Sequence, residues 1–161
     1  ETIPTLFPEY EITFEIHPTA KLTQDSESVI HFTSTGNDCC NSGDCCPGDR
    51  IPGIWFNTID NTVVNIQISI SNAISNSYSK STNDAVPLNQ WTEIKIKQSF
   101  QSDLTYLYEL SMNGQVYHCE TNTSPQEFSN VKIYAAHPIR AAAQASIRNF
   151  KIKSASNGKK F

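Results

Sequence analysis

Charge is scarce in this chain of 161 residues. Asp, Glu, Lys and Arg make up 17% of it, against roughly 25% in an average globular protein, and Ser, Thr and Asn fill the difference. Basic residues are the scarcer sign: twelve Lys and Arg face sixteen Asp and Glu, a formal net charge of −4. Their only local concentration is the short set Lys151, Lys153, Lys159 and Lys160, so nucleic acid is not an expected partner. Long hydrophobic runs are missing. No apolar stretch approaches the ~20 residues that cross a bilayer, and no membrane span is expected. Helical periodicity is nearly absent; the one alanine-rich stretch, Pro138 to Ala145, is too short to anchor a fold and reads as a loop or a single turn. There is no nucleophile elbow, phosphate-cradling glycine loop or dinucleotide fingerprint. His17, His31, His118 and His137 have no i, i+2 or HExxH spacing and suggest no metal triad. The expectation is a protein that is not an enzyme. The chain begins at Glu1 rather than Met, as after removal of a secretory signal, and a secreted, extracellular protein is expected.

What is present is period-two alternation. Tyr10, Ile12, Phe14 and Ile16 fall on one face of the first run, and Glu11, Thr13, Glu15 and His17 on the other, with Pro18 ending it. Further strands are predicted at Ser28 to Thr35, Ile51 to Asn57, Thr62 to Ser71, Trp91 to Gln98, Leu104 to Met112, Gln115 to Cys119, Asn130 to Ala135 and Ser146 to Lys153. Asn113-Gly114 is the strongest hairpin signal, because a type I′ turn needs positive φ at both central residues. About nine short strands predict an all-β fold, a two-sheet antiparallel β-sandwich in which the inner faces share one core. Residues 1–153 read as a single domain and 154–161 as a flexible tail, with Ser71 to Asp84 a long polar hairpin connection. Trp55 and Trp91 lie within alternating runs and read as core or sheet-packing residues, since stacking on a sugar requires an exposed ring.

Four of the five cysteines, Cys39, Cys40, Cys45 and Cys46, form two vicinal pairs in one stretch, and Cys119 lies far downstream. That spacing departs from the C-x₂₋₄-C pairs of zinc sites. Vicinal cysteines bridge each other only through a strained ring, so crosslinks between the pairs, or to Cys119, are expected. An odd count leaves one thiol free, capped, or bridged to a second chain, and a homodimer is one outcome. Asn122-Thr123-Ser124 is an N-glycosylation sequon, followed by Pro125.

Three segments carry a resemblance: Leu88-Asn89-Gln90-Trp91-Thr92-Glu93-Ile94-Lys95-Ile96, Tyr108-Glu109-Leu110-Ser111-Met112-Asn113-Gly114, and Ala145-Ser146-Ile147-Arg148-Asn149-Phe150-Lys151-Ile152. A Trp opening a strand, an Asn-Gly hairpin and a closing Ile-x-Asn-apolar-x-Ile strand, in this order, resemble the laminin-G-like branch of the concanavalin A-like lectin/glucanase fold. Gly48 to Phe56 and Phe128 to Tyr134 are similar to extracellular proteins of this kind from marine invertebrates. The resemblance implies a jelly-roll sandwich and leaves the activity open.

Candidate sites follow from residue chemistry. Glucanases of this superfamily keep Glu-x-Asp-x-Glu on one strand; here the pattern is Glu11, Thr13, Glu15, without the central Asp. The Glu11 and Glu15 Cα atoms stand about 13 Å apart on an extended strand, and the pair reads as a solvated face. Asp38, Asp44 and Asp49, bracketed by cysteines and glycines, could supply oxygens to a calcium ion, or could be ordinary turn residues. Asp49 and Arg50 could contact a sugar, or could pair within the protein and anchor the loop. The leading expectation is lectin-like glycan recognition at rim loops or on the concave sheet. The alternatives are a structural protein of the extracellular matrix that binds other proteins, and a carrier of an apolar ligand, a lipid or carotenoid, at a subunit interface.

Overall fold

The computed structural model describes residues 1–24, 26–36, 48–57, 65–70, 78–81, 86–122, 125–137 and 141–155, the strands at 65–70 and 78–81 by their backbone. In chain order the strands are β1 (Thr2–Leu6), β2 (Tyr10–Pro18), β3 (Ser26–Thr33), β4 (Gly53–Asn57), β5 (Asn65–Ile70), β6 (Tyr78–Ser81), β7 (Thr92–Phe100), β8 (Tyr106–Met112), β9 (Gln115–Asn122), β10 (Phe128–Tyr134) and β11 (Ala145–Ser154). No helix occurs among the described residues. The strands form two antiparallel sheets, one ordered β1-β10-β3-β4-β5-β6 and the other β11-β2-β7-β8-β9. This is the predicted β-sandwich.

Alternation in the sequence becomes alternation in burial. Along β2 every second side chain, from Tyr10 to Ile16, is buried, and the residues between are half-exposed. Along β7, Thr92, Ile94, Ile96 and Gln98 turn inward while Glu93 and Lys97 face solvent. Phe150 of β11 packs between Phe14 of β2 and Phe32 of β3, with ring centroids 6.3 and 6.1 Å away, and so joins the two sheets across the core. Truncating a fully buried isoleucine such as Ile12, Ile94 or Ile96 to Ala costs about 2–5 kcal/mol. One polar clasp lies inside: the Gln98 amide donates to the Pro8 carbonyl at 2.6 Å and accepts from the Asn122 amide at 2.9 Å.

The β8–β9 turn has φ of 48° at Asn113 and 80° at Gly114, the positive pair that a type I′ turn requires. Asn113 also bonds to the backbone of Glu93 through both its N–H (3.0 Å) and its Oδ1 (2.9 Å), tying the turn to β7.

Two strands lie outside the predicted set. No strand is predicted before Tyr10; β1, which contains Pro4, is the edge strand of its sheet beside β10, where a missing N–H is tolerated. β6 falls within the Ser71 to Asp84 segment expected to be a hairpin connection; its Tyr-Ser-Lys-Ser sequence pairs with β5 and lacks the apolar alternation that marks a strand. In the alanine-rich stretch, residues 138–140 lie outside the described residues. Ala141 and Ala143 hydrogen-bond to Ser28 of β3, and β11 begins at Ala145.

Candidate functional site

The outward residues of the five-stranded sheet fall into cross-strand rows. The first row runs Arg148, Glu15, Glu93; the second Lys151, Thr13, Lys95, Ser111; the third Lys153, Glu11, Lys97, Glu109, Cys119. A bulge between Arg148 and Lys151, with Asn149 at φ 54°, keeps β11 in step with β2 and turns an extra side chain toward this face.

The two carboxylates of β2 are each engaged by β11. Lys153 Nζ lies 3.0 Å from Glu11 Oε1. Arg148 Nε donates to Glu15 Oε2, and Asn149 Nδ2 donates to Glu15 Oε1 at 3.2 Å. The Lys153 hydrogen bond holds the Glu11 carboxyl below the ordinary carboxylate range, and the Arg148 and Asn149 bonds do the same to Glu15. The general acid of a glycosidase needs the opposite shift, to stay protonated at working pH. Glu11 and Glu15 are both held in the ionised form by their partners on β11.

Trp91 stands at the end of this face. Core or sheet packing was expected of it, and the structure leaves it out of the core: the residue is 37% exposed and packs against the sheet's outer side chains, with the Arg148 guanidinium 3.9 Å above its ring centroid and His17 at 5.0 Å. The signal was present in the sequence. Thr92, Ile94 and Ile96 point inward, so Trp91, one residue before Thr92, has outward parity. Trp55, by contrast, is buried as expected, with His31 at 6.0 Å and the Arg50 guanidinium at 5.1 Å.

The remaining sequence candidates are dispersed. Asp49 is fully buried and its carboxylate accepts a bond from the Thr35 hydroxyl, while half-buried Arg50 lies against Trp55. Asp38, Asp44, Cys39, Cys40, Cys45 and Cys46 lie outside the described residues. Among the described residues no three His, Cys, Asp or Glu side chains gather as a metal site. Cys119 is an exposed free thiol on edge strand β9. Asn122 is 5% exposed, and its Nδ2, the atom a glycan would join, donates to Gln98 Oε1 at 2.9 Å. Of the expected tail 154–161, Ser154 ends β11 and the Ala155 N–H reaches the Glu9 carbonyl at 3.3 Å, while residues 156–161 lie outside the described residues.

Two hollows accompany these features. One, of about 170 Å³, opens beside the third row between Glu9, Glu11, Lys97 and Lys153. The other, of about 200 Å³, is lined by Ser28, Val29, Ala135, Ala143, Ala145 and Ile147. It falls short of the roughly 300–1,000 Å³ of pockets that enclose a sizeable ligand. Lys95 and Lys97 escaped the sequence reading, and Lys151 was seen only as part of a basic tail, because an outward lysine on a strand is unremarkable until register shows which residues surround it.

No family model and no curated protein matches the chain. Solved structures do. A heptameric SAP-like pentraxin from Limulus polyphemus is similar over 94% of this chain and 66% of its own, with a TM-score of 0.61 and 10% identity. The alginate lyase Aly36B, solved as a mutant with an alginate trisaccharide, is similar over 96% and 73%, at 0.62 and 13%. A CBM40 from a Ruminococcus gnavus sialidase, bound to α2,3-sialyllactose, is similar over 94% and 79%, at 0.51 and 12%. At such identities the likeness is one of architecture, and the chain carries the concanavalin A-like jelly-roll fold of pentraxins, lyases and carbohydrate-binding modules.

Proposed function

We propose that this protein is a secreted, non-enzymatic, lectin-like module that binds glycans on the outer face of its five-stranded sheet. The observation that carries the reading is Trp91, a half-open indole braced by Arg148 and His17 at the end of a polar sheet face. An aromatic ring offers the apolar face of a sugar a flat, preordered surface, and neighbouring charged and hydroxyl groups meet its hydroxyls. Glycan binding occurs on similar folds, one of them solved with sialyllactose and another with an alginate trisaccharide. The engaged state of Glu11 and Glu15 supports binding without hydrolysis. The laminin-G-like affiliation is part of the same proposal and rests on the placing of Trp91, Asn113-Gly114 and the Ile147 to Ile152 strand.

The test is a glycan array followed by titration calorimetry on the wild type and Trp91→Ala. The expected result is saturable binding that Trp91→Ala weakens about tenfold or more, with the unfolding midpoint kept, as loss of a central aromatic anchor does in other interfaces. Binding untouched by Trp91→Ala would remove the sheet face from consideration. Repeating the array with EDTA decides whether calcium takes part, and analysing bound oligosaccharides for new reducing or unsaturated ends decides whether they are cleaved.

A further inference from the structure

We propose that the glycan taken by this face is anionic, its carboxylate or sulfate groups meeting Lys95 and Lys151 on either side of Thr13. This rests on the glycan reading and names the class of sugar. The chain as a whole carries a formal charge of −4, yet five basic residues, Arg148, Lys151, Lys153, Lys95 and Lys97, share this one face. Four carboxylates share it too: Glu11, Glu15, Glu93 and Glu109. What matters is how they are matched. Glu11 and Glu15 are taken up by Lys153 and Arg148, and Lys97 lies in register between Glu11 and Glu109.

Lys95 is different. Its row neighbours are Thr13 and Ser111, and beyond Thr13 stands Lys151, so the second row holds two ammonium groups, two hydroxyls and no carboxylate. Neither lysine makes an ion pair among the described residues. Lysines on β11 have an ordinary explanation, because a charged edge strand resists pairing with other chains. That explanation does not reach Lys95. β7 is central, flanked by β2 and β8, and Lys95 is half-buried there; it acts on Glu11 only at longer range, as Lys151 does on Glu15, and those two carboxylates are held at close range by Lys153 and Arg148. An anionic ligand supplies the close partner that both lysines lack. Strand spacing puts the Lys95 and Lys151 backbones about 10 Å apart, and flexible four-carbon stems let both ammoniums converge on one anionic group or hold two along a chain. The Thr13 hydroxyl between them is a neutral donor, and the part of Trp91 that Arg148 leaves open offers an apolar surface two rows away on the same face.

The experiment compares three hexasaccharides by calorimetry: an alginate oligosaccharide, its carboxyl-reduced neutral counterpart, and a sulfated one. The expected result is that at least one anionic sugar binds, that the carboxyl-reduced sugar binds at least tenfold more weakly than the alginate if carboxylate is the group recognised, and that raising salt weakens only the anionic interaction. Lys95→Gln and Lys151→Gln should each lower the anionic affinity about tenfold, the scale of one charge-assisted hydrogen bond. Lys151 is exposed, so its variant carries the test even if Lys95→Gln folds poorly. Preference for the sulfated over the carboxylated sugar identifies the anion and supports the proposal. Neutral and anionic sugars binding equally, or lysine variants binding as the wild type does, would overturn it while leaving glycan recognition standing. Failure of all three sugars alongside a negative array would overturn both.

Discussion

Tyr108→Phe is expected to make the protein more stable. Tyr108 lies on the inner face of β8, 1% exposed, and among the described residues its hydroxyl has no hydrogen-bond partner. A buried hydroxyl left unmet costs about 1–3 kcal/mol. Removing the oxygen recovers that, less a small gap smaller than a methylene, worth under about 1 kcal/mol. The net gain is about 1 kcal/mol, or some 2–4 °C in Tm for a chain of this size. Alkaline titration supplies a second signature. Burial pushes the Tyr108 phenol well above its ordinary value of 10.0, and Tyr10 is raised by the same cause. For a raised pKa, the contribution is fully present below the unfolded value and is lost as pH climbs toward the folded one. The unfolded chain gives up the proton first, so each tyrosine removes about 1.4 kcal/mol of stability per pH unit above about pH 10. Urea midpoints between about pH 8 and 11 should fall steeply in the wild type and about half as steeply, from this source, in Tyr108→Phe. A lower midpoint for the variant near pH 8, or an unchanged alkaline slope, would refute the reasoning.

Glu11→Gln should cost less than about 1 kcal/mol, because the Lys153 partner is largely exposed. Since Glu11 and Glu15 have lowered pKa values, their contribution is complete above the ordinary carboxylate pKa and fades as pH falls through the lowered one, which midpoints in acid would show. Gly114→Ala forces a side chain to φ 80° and should cost about 1 kcal/mol or more, read as a shifted denaturation midpoint. Titrating thiols without denaturant should find Cys119 reactive; five reactive thiols per chain would show that the Cys39 to Cys46 segment is reduced, and light scattering beside non-reducing gels would reveal a Cys119-linked dimer.

Where one physical signal acted alone, the sequence was readable. β2, β7, β8 and β11 alternate because one face of each meets the core, and Asn113-Gly114 can be little other than a turn. β1 was hidden by Pro4, whose harmlessness depends on an edge position that only topology assigns. β6 was hidden by its polar residues. The site was harder for the same reason. Glu11 and Glu15 were visible as a facing pair, but their partners, Lys153 and Arg148, are more than 130 residues away in the chain. Lys95 gained meaning only when the register set it between Thr13 and Ser111.

The strand order also constrains how the chain must be made. β2 pairs with β7 on one side and β11 on the other, so its first partner begins at Thr92 and its last at Ala145. At ribosomal rates of about 5–20 residues per second, Ile12, Phe14 and Ile16 spend on the order of ten seconds without a complete sheet around them. A run such as Tyr10-Glu11-Ile12-Thr13-Phe14-Glu15-Ile16, with strong β propensity, is a hazard for aggregation during that wait. Glu11 and Glu15 interrupt it with charge that no lysine or arginine of β11 has yet neutralised, as gatekeeper residues do. The carboxylates that fasten the last strand in the finished sheet thus first serve to keep the nascent one from fastening to another chain.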